Sequence, residues 1–111
     1  MLLKERRSLV AIATNTLKEY LQQLYQNNLD RVILFGSQAR GEAEIDSDVD
    51  ILIVLKHSFI YFDEIKRISG FISDLCLNYH LYLSCCFTTS ETWNNSRTGF
   101  YRNVRKEGIE V

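Results

Sequence analysis

Two short apolar runs constrain the fold of this chain more than any other feature of its sequence. Residues 31–36 read RVILFG and residues 49–55 read VDILIVL, and a segment containing glycine and several acids separates them. Short runs rich in β-branched residues and stopped by turn residues predict buried strands. The second run is apolar at every position after Asp50, so we expect other elements to cover both faces of that strand.

Helical periodicity on either side of these runs supplies the covering elements. Apolar residues predict an amphipathic helix from about residue 8 to residue 28: Leu9, Ala13, Leu17, Tyr20 and Leu24. A second helix is marked in the same way by Ile65, Ile68, Ile72, Leu75 and Tyr79. Residues 80–87 predict a third strand, Thr88 with Glu91 predicts a capped helix start, and residues 100–108 predict a last short helix. The order predicts an α/β (α+β) fold with a short mixed sheet packed against helices.

Length and charge narrow the classes of protein that this chain can be. A chain of 111 residues fits one domain, 1–111, and a net charge of −1 argues against direct binding of nucleic acid. No apolar run approaches the roughly 18 residues of a membrane span. The apolar stretch at residues 9–13 is also shorter than the about 7–15 residues of a secretory signal, so we expect a cytoplasmic protein. Three cysteines without a C-x-x-C pair argue against a disulfide framework and a zinc site.

The segment joining the two apolar runs, within residues 34–55, carries the chemistry. Gly36 and Gly41 have P-loop spacing, but Glu42 stands where the phosphate-binding lysine of a P-loop belongs. An EF-hand is excluded because Ile51 stands where its loop requires glycine. A third pattern, that of a polymerase-type site for nucleotidyl transfer, fits the residues of this segment.

That third pattern rests on two carboxylates and a glycine-serine pair. Asp48 and Asp50 are two residues apart on a strand, so both side chains point to one face, where they can hold Mg²⁺. Gly36 lets a ligand approach the backbone, and a helix starting at Ser37 would direct free N–H groups at a phosphate. Arg40 lies one helical turn further on and is a candidate for a phosphate contact.

Gly36-Ser37, ten residues, and Asp48-Val49-Asp50 form a G-S-x10-D-x-D signature. In this motif and in its short length the chain resembles the minimal nucleotidyltransferases (MNT) of the DNA polymerase beta-like nucleotidyltransferase superfamily, commonly antitoxins of HEPN/MNT type. The resemblance implies that the chain transfers AMP from ATP to a tyrosine of a cognate HEPN ribonuclease toxin, with Mg²⁺ as cofactor. It implies that Gly36 and Ser37 hold the triphosphate, and that the catalytic Asp48 and Asp50 ligate the metal.

The chain departs from this family at the start of the third strand, where relatives carry a further carboxylate. We align His80 with that carboxylate, and an imidazole suits later transition metals better than Mg²⁺. His80 is therefore a candidate general base. The alternative is a catalytically degenerate member that neutralises the toxin by binding alone. Transfer to a small molecule is a third hypothesis, and it would usually require a further domain to hold the acceptor.

One basic segment is left without a role by these hypotheses. Near the end of the chain, basic residues outnumber acidic ones: the bases are Arg97, Arg102, Arg105 and Lys106, and the acids are Glu107 and Glu110. The segment is either a solvated helix face or a docking surface for a partner or for nucleotide phosphates.

Overall fold

A four-stranded mixed sheet with helices on both faces is the framework of the protein, described by a computed structural model for residues 2–43 and 48–111. The elements are α1 (Leu3–Tyr25), β1 (Leu29–Phe35), α2 (Ser37–Arg40), β2 (Val49–Leu55), α3 (Tyr61–Tyr79), β3 (Leu83–Thr89), α4 (Ser90–Asn95), α5 (Gly99–Glu107) and β4 (Ile109–Glu110), with a 3-10 turn, Gln26–Asn28, after α1. The strand order is β3-β2-β1-β4. Strands β2 and β3 are parallel, and β1 is antiparallel to β2 and β4. The predicted α/β class is confirmed.

One face of the sheet is fully covered by the two long helices. The odd-numbered residues of β2 point to this face, and they pack against apolar side chains of α1 and α3 in the larger core cluster. Its most deeply buried members include Leu17, Leu21, Ile51, Ile53 and Ile68. The amphipathic pattern of both helices is therefore accounted for by a single apolar interior.

The opposite face of the sheet is covered only in part, by α4 and α5. Leu52 and Val54 of β2 pack here with Ile33, and Trp93 of α4 and Val104 of α5 cover them. The other end of β2 is less covered on this face, as the burial of the residues there shows: Asp48 is exposed and Asp50 is half-buried. The open end of this face is where the predicted site residues lie.

Several predicted boundaries were wrong, for identifiable reasons. Helix α1 begins at Leu3 rather than near Ser8, because the charged Arg6 is buried and continues the inner face of the helix. Strand β3 begins at Leu83 rather than at residue 80. Thr89, not Thr88, caps α4, since Thr89 Oγ1 accepts the backbone N–H of Thr92 at 3.2 Å. Strand β4 was not predicted.

Within the described ranges, no helix combines the length and the apolar character that crossing a membrane would require.

Candidate active site

A close approach between β1 and β2 forms the centre of the site. Phe35 pairs with Asp50 across the two antiparallel strands, and Gly36 follows Phe35 with a φ of +75°. A Cβ added at Gly36 would collide with Asp50 Oδ2 and would lie 3.4 Å from Asp50 Cγ. Both the backbone conformation and the lack of space therefore require glycine at this position.

The short helix α2 begins directly after this glycine, as predicted, with Ser37 as its first residue. The first backbone bond within the segment joins the N–H of Arg40 to the carbonyl of Gly36 at 3.2 Å. The N–H groups of residues 37–39 precede that bond, and they are the ones that a helix start leaves unsatisfied. Such N–H groups are the part of a helix that binds phosphate oxygens.

Asp50 occupies an environment that disfavours its negative charge. Burial raises the pKa of Asp50, the neighbouring Asp48 carboxylate raises it further, and the positive charge of Arg40 lowers it. Burial raises the pKa of Cys86 to about 11, and the negative charge of Asp50 raises it further. Cys86 packs against the apolar cluster that α4 and α5 cover. In the part of the chain that the structure describes, no hydrogen bond or ion pair satisfies the Asp50 carboxylate.

This pair of carboxylates fits a hard divalent cation. Mg²⁺ is usually held by one or two carboxylates together with substrate phosphates, and it would relieve the repulsion between Asp48 and Asp50. Among residues 2–43 and 48–111, no group of three or more His, Cys, Asp or Glu side chains forms a metal site. Oxygens of the substrate phosphates are further ligands that a cation held by Asp48 and Asp50 would take.

Arg40 lies beside the carboxylates but is held by two acids. Its Nε is 3.1 Å from Glu42 Oε2, and its Nη1 is 3.5 Å from Glu107 Oε2 at the end of α5. A cleft of about 150 Å³ opens beside these groups, lined by Phe35, Gly36, Arg40, Phe100, Asn103, Val104 and Glu107. These two contacts use Nε and Nη1, so Nη2, for which no partner occurs among the described residues, is the nitrogen that can contact a phosphate.

His80 is located away from the strand that was expected to carry it. It ends α3 in the left-handed conformation, with a φ of 54°, and its N–H donates to Cys76 O. The positions beside the two aspartates belong to other residues: Ser84 pairs with Asp50, and the N–H of Val49 donates to Tyr82 O at 2.8 Å. The alignment of His80 with the strand start is therefore displaced, and its role as a base stays a prediction.

Sequence reasoning missed two groups at the site. Tyr82 and Ser84 form its β3 side, and the signal for them is an alternation in which buried Leu81 and half-buried Leu83 flank exposed Tyr82. Glu107 was treated only as part of a charged helix, because its contact with Arg40 spans 67 residues of sequence.

The comparisons with known proteins agree with this geometry. The nucleotidyltransferase domain family matches residues 14–109. The Methanocaldococcus jannaschii protein named "Putative protein adenylyltransferase MJ0604" is 34% identical over 100 residues, which cover 83% of this chain and 90% of that protein.

Two solved structures share the fold. A Sulfolobus solfataricus protein, described as a "putative nucleotidyltransferase", has a TM-score of 0.70 at 23% identity, covering 96% of this chain and 82% of that one. A toxin-antitoxin structure with AMP-PNP has a TM-score of 0.58 at 16% identity, covering 84% and 68%. The predicted enzyme class is confirmed, because the family match spans most of the sequence and includes the whole site. The chain belongs to the nucleotidyltransferase domain family.

Proposed function

We propose that this chain is a minimal nucleotidyltransferase of HEPN/MNT type that acts as an antitoxin in the cytoplasm. It transfers AMP from ATP, with Mg²⁺, to a tyrosine of a cognate HEPN ribonuclease toxin. The acceptor phenol attacks the α-phosphorus of ATP, the bond from that phosphorus to the oxygen bridging to the β-phosphate breaks, pyrophosphate leaves and the phenolic proton passes to solvent.

One observation carries this proposal: the Asp50 carboxylate, which has no hydrogen-bond partner among the described residues, lies against Gly36 at the start of α2. This juxtaposition puts phosphate-binding N–H groups beside two carboxylates suited to Mg²⁺. A divalent cation bound there would offset the charge of the two carboxylates and bridge them to the triphosphate, whereas a triphosphate without the cation would be repelled by them.

Each residue has a distinct part in the reaction. Gly36 and Ser37 bind the triphosphate through backbone N–H groups, and Arg40 contacts a phosphate through its remaining N–H donors. Asp48 and Asp50 hold Mg²⁺, which when bound neutralises charge on the α-phosphate and on the pyrophosphate leaving group. The chain thereby orients the α-phosphate for in-line attack.

The protein acceptor is supported by the names of relatives and by the open side of the site. MJ0604 is named as a protein adenylyltransferase, and a neighbour in fold is a toxin-antitoxin structure. On the β3 side Tyr82 and Ser84 are exposed, so the described part of the chain leaves that side of the site open to an acceptor. A toxin docked there would complete the site and exclude water.

A second candidate function is inhibition of the toxin by binding alone. It is favoured by the residues beside the two aspartates, since Tyr82 and Ser84 stand there and neither is a carboxylate. The chain would then keep the fold and the interface but not the transfer reaction.

Intact-mass measurements separate the two functions. The purified chain, ATP and Mg²⁺ are mixed with the HEPN-type protein encoded by the neighbouring gene, and AMP transfer should add AMP units to that protein. Asp48→Asn and Asp50→Asn should each abolish the addition. Asp74→Asn, which changes an exposed aspartate on α3, is the matched control and should leave it unchanged.

Two outcomes would contradict the proposal, the first at its metal site and the second at the transfer reaction itself. Undiminished labelling by both site variants would exclude the proposed metal site. Unlabelled toxin whose ribonuclease activity is suppressed equally by the wild type and by Asp48→Asn would establish inhibition by binding alone.

A further inference from the structure

The β3 side of the active site presents a tyrosine that the proposed reaction leaves without a role. The side chain of Tyr82 is 71% exposed, and its backbone carbonyl accepts the N–H of Val49, the residue between the two aspartates. Because the parallel register pairs Val49 with Leu83 and Asp50 with Ser84, the next position back sets Tyr82 beside Asp48.

The alternation of side chains puts this tyrosine on the face of the aspartates. Leu81 is 2% exposed and belongs to the core beneath α1 and α3, and Leu83 packs against the same core. Successive side chains of an extended segment point to opposite faces, so Tyr82 lies on the other face, together with Asp48 and Asp50. That end of the face is not covered by α4 or α5.

The site therefore has two chemically different sides. Gly36 and the start of α2 lie on the β1 side, where the triphosphate binds, and Tyr82 lies on the β3 side. Neighbouring strands are about 4.8 Å apart. A tyrosine side chain extends further from the backbone than an aspartate, so the Tyr82 hydroxyl is long enough to reach a phosphate bound at the carboxylates. No hydrogen bond from the Tyr82 hydroxyl occurs among the described residues.

We propose that Tyr82 is itself an AMP acceptor, so that the chain adenylylates its own active-site tyrosine when no partner is docked. Tyr82 Oη attacks the α-phosphorus of ATP, the bond to the β-phosphate bridging oxygen breaks, pyrophosphate leaves and the phenolic proton passes to solvent. The product is a phosphodiester between Tyr82 and AMP. This inference rests on the proposed nucleotidyl transfer, but not on the identity of the toxin.

Modification at this position would regulate the site. A covalently bound AMP beside Asp48 occupies the side on which the partner's acceptor must enter, so the modified chain should transfer poorly to a partner. A docked partner covers Tyr82 and prevents the modification. The free antitoxin and the complexed antitoxin would thus differ in chemical state.

Intact-mass and peptide-mass measurements on the full chain test the proposal. Incubation with ATP and Mg²⁺ alone should add one AMP unit, mapped to the peptide containing Tyr82, at a rate independent of protein concentration. Tyr82→Phe should lose this addition. Tyr61→Phe is the matched control, because Tyr61 is also exposed but lies far from the site. Tyr61 begins α3, a 19-residue helix about 28 Å long, and it is the other end of this helix that adjoins the site.

A binding measurement independent of turnover supports the same placement. With Mg²⁺ and the non-hydrolysable analogue AMP-PNP, the ring resonances of Tyr82 in ring-labelled protein should shift, while those of Tyr61 should not. Unshifted Tyr82 resonances under saturating analogue would overturn the proposed proximity.

The outcomes also separate this inference from the proposed function. Labelled toxin with an unmodified Tyr82 in the free chain would overturn self-modification and leave the transfer to the toxin intact. Loss of transfer to the toxin in Tyr82→Phe, together with no AMP on Tyr82 of the free wild-type chain, would assign a positioning role to this residue and overturn its role as acceptor. Self-labelling with an unlabelled toxin would support this inference and contradict the proposed acceptor.

Discussion

At Gly36, one added methyl group would occupy the space of the Asp50 carboxylate. The residue also has a φ of 75° and a ψ of −153°, a combination that is essentially restricted to glycine. We therefore expect Gly36→Ala to lower the free energy of unfolding by about 1–3 kcal/mol, and to abolish ATP binding by displacing Asp50. Urea unfolding and a nucleotide titration measure the two effects.

Gly70 provides the control for that substitution. It lies in the interior of α3, is exposed, and has nothing near the position of an added Cβ. Gly70→Ala should raise the free energy of unfolding by roughly 0.5–1 kcal/mol, as alanine does in a helix interior, and leave ATP binding unchanged. Equal effects of the two substitutions would contradict the steric argument at Gly36.

The raised pKa of Asp50 gives a prediction with a definite sign. An acid whose pKa is higher in the folded state makes the fold less stable as pH rises from its unfolded pKa, about 3.9, through its folded pKa. Asp50→Asn removes this penalty, so without divalent cations the variant should melt at a higher temperature than the wild type at pH 7. The difference should shrink toward pH 4. A variant that melts below the wild type at pH 7 would contradict the proposed cost of keeping Asp50 charged in the folded state.

Site residues that belong to the local motif could be predicted from the sequence, whereas those whose position depends on strand pairing could not. The spacing of Gly36, Ser37, Asp48 and Asp50 is local, and the paired geometry of Gly36 and Asp50 agrees with it. The positions beside the aspartates depend on the β2–β3 register, which a run of apolar letters does not define to within a residue. An alignment by strand start therefore selected His80 and missed Tyr82.

At the scale of elements, two threonines begin neighbouring helices with different bonding. Thr89 caps α4 by accepting the N–H of Thr92, whereas the side chain of Thr98 makes no capping bond to α5. Thr89→Ala should lower the free energy of unfolding by about 1 kcal/mol, and Thr98→Ala should change it by much less. Chemical denaturation of both variants checks the difference, and equal losses would contradict the assignment of the cap.

Elements with strong periodicity were predictable, and those defined by distant contacts were not. Apolar runs predicted β1 and β2, and the spacing of isoleucines predicted α3. The start of α1 was missed because hydrophobic periodicity does not anticipate a buried arginine. Strand β4 consists of two residues that pair with Ile33 and Leu34, some 75 positions earlier, so no local pattern marks it.

At the scale of the whole molecule, the two faces of the sheet have different roles: one carries the larger apolar core, and the other carries the candidate active site. The face beneath α1 and α3 carries the larger core, while the other face is covered by α4 and α5 at one end and open at the aspartates. The site is therefore bounded by α2 and α5, two elements that are far apart in sequence. The positions of its strand residues depend on how β1, β2 and β3 pair. Composition and net charge could exclude classes of protein, but only the motif indicated where the open end would lie.

This division predicts how ligands should stabilise the whole fold. A ligand that binds only the folded state raises the free energy of unfolding by about 2.7 kcal/mol at a free concentration of 100 times its dissociation constant. We compare conditions at one ATP concentration, about 100 times the dissociation constant measured with Mg²⁺. With Mg²⁺ present, the cation relieves the repulsion at Asp48 and Asp50 while the phosphates meet the start of α2, and the full stabilisation is expected. ATP with EDTA should stabilise far less, since the triphosphate then faces two uncompensated carboxylates. Thermal melts of the wild type, Asp48→Asn and the control Asp74→Asn measure this, and equal shifts with EDTA and with Mg²⁺ would show that the carboxylates do not act through a metal.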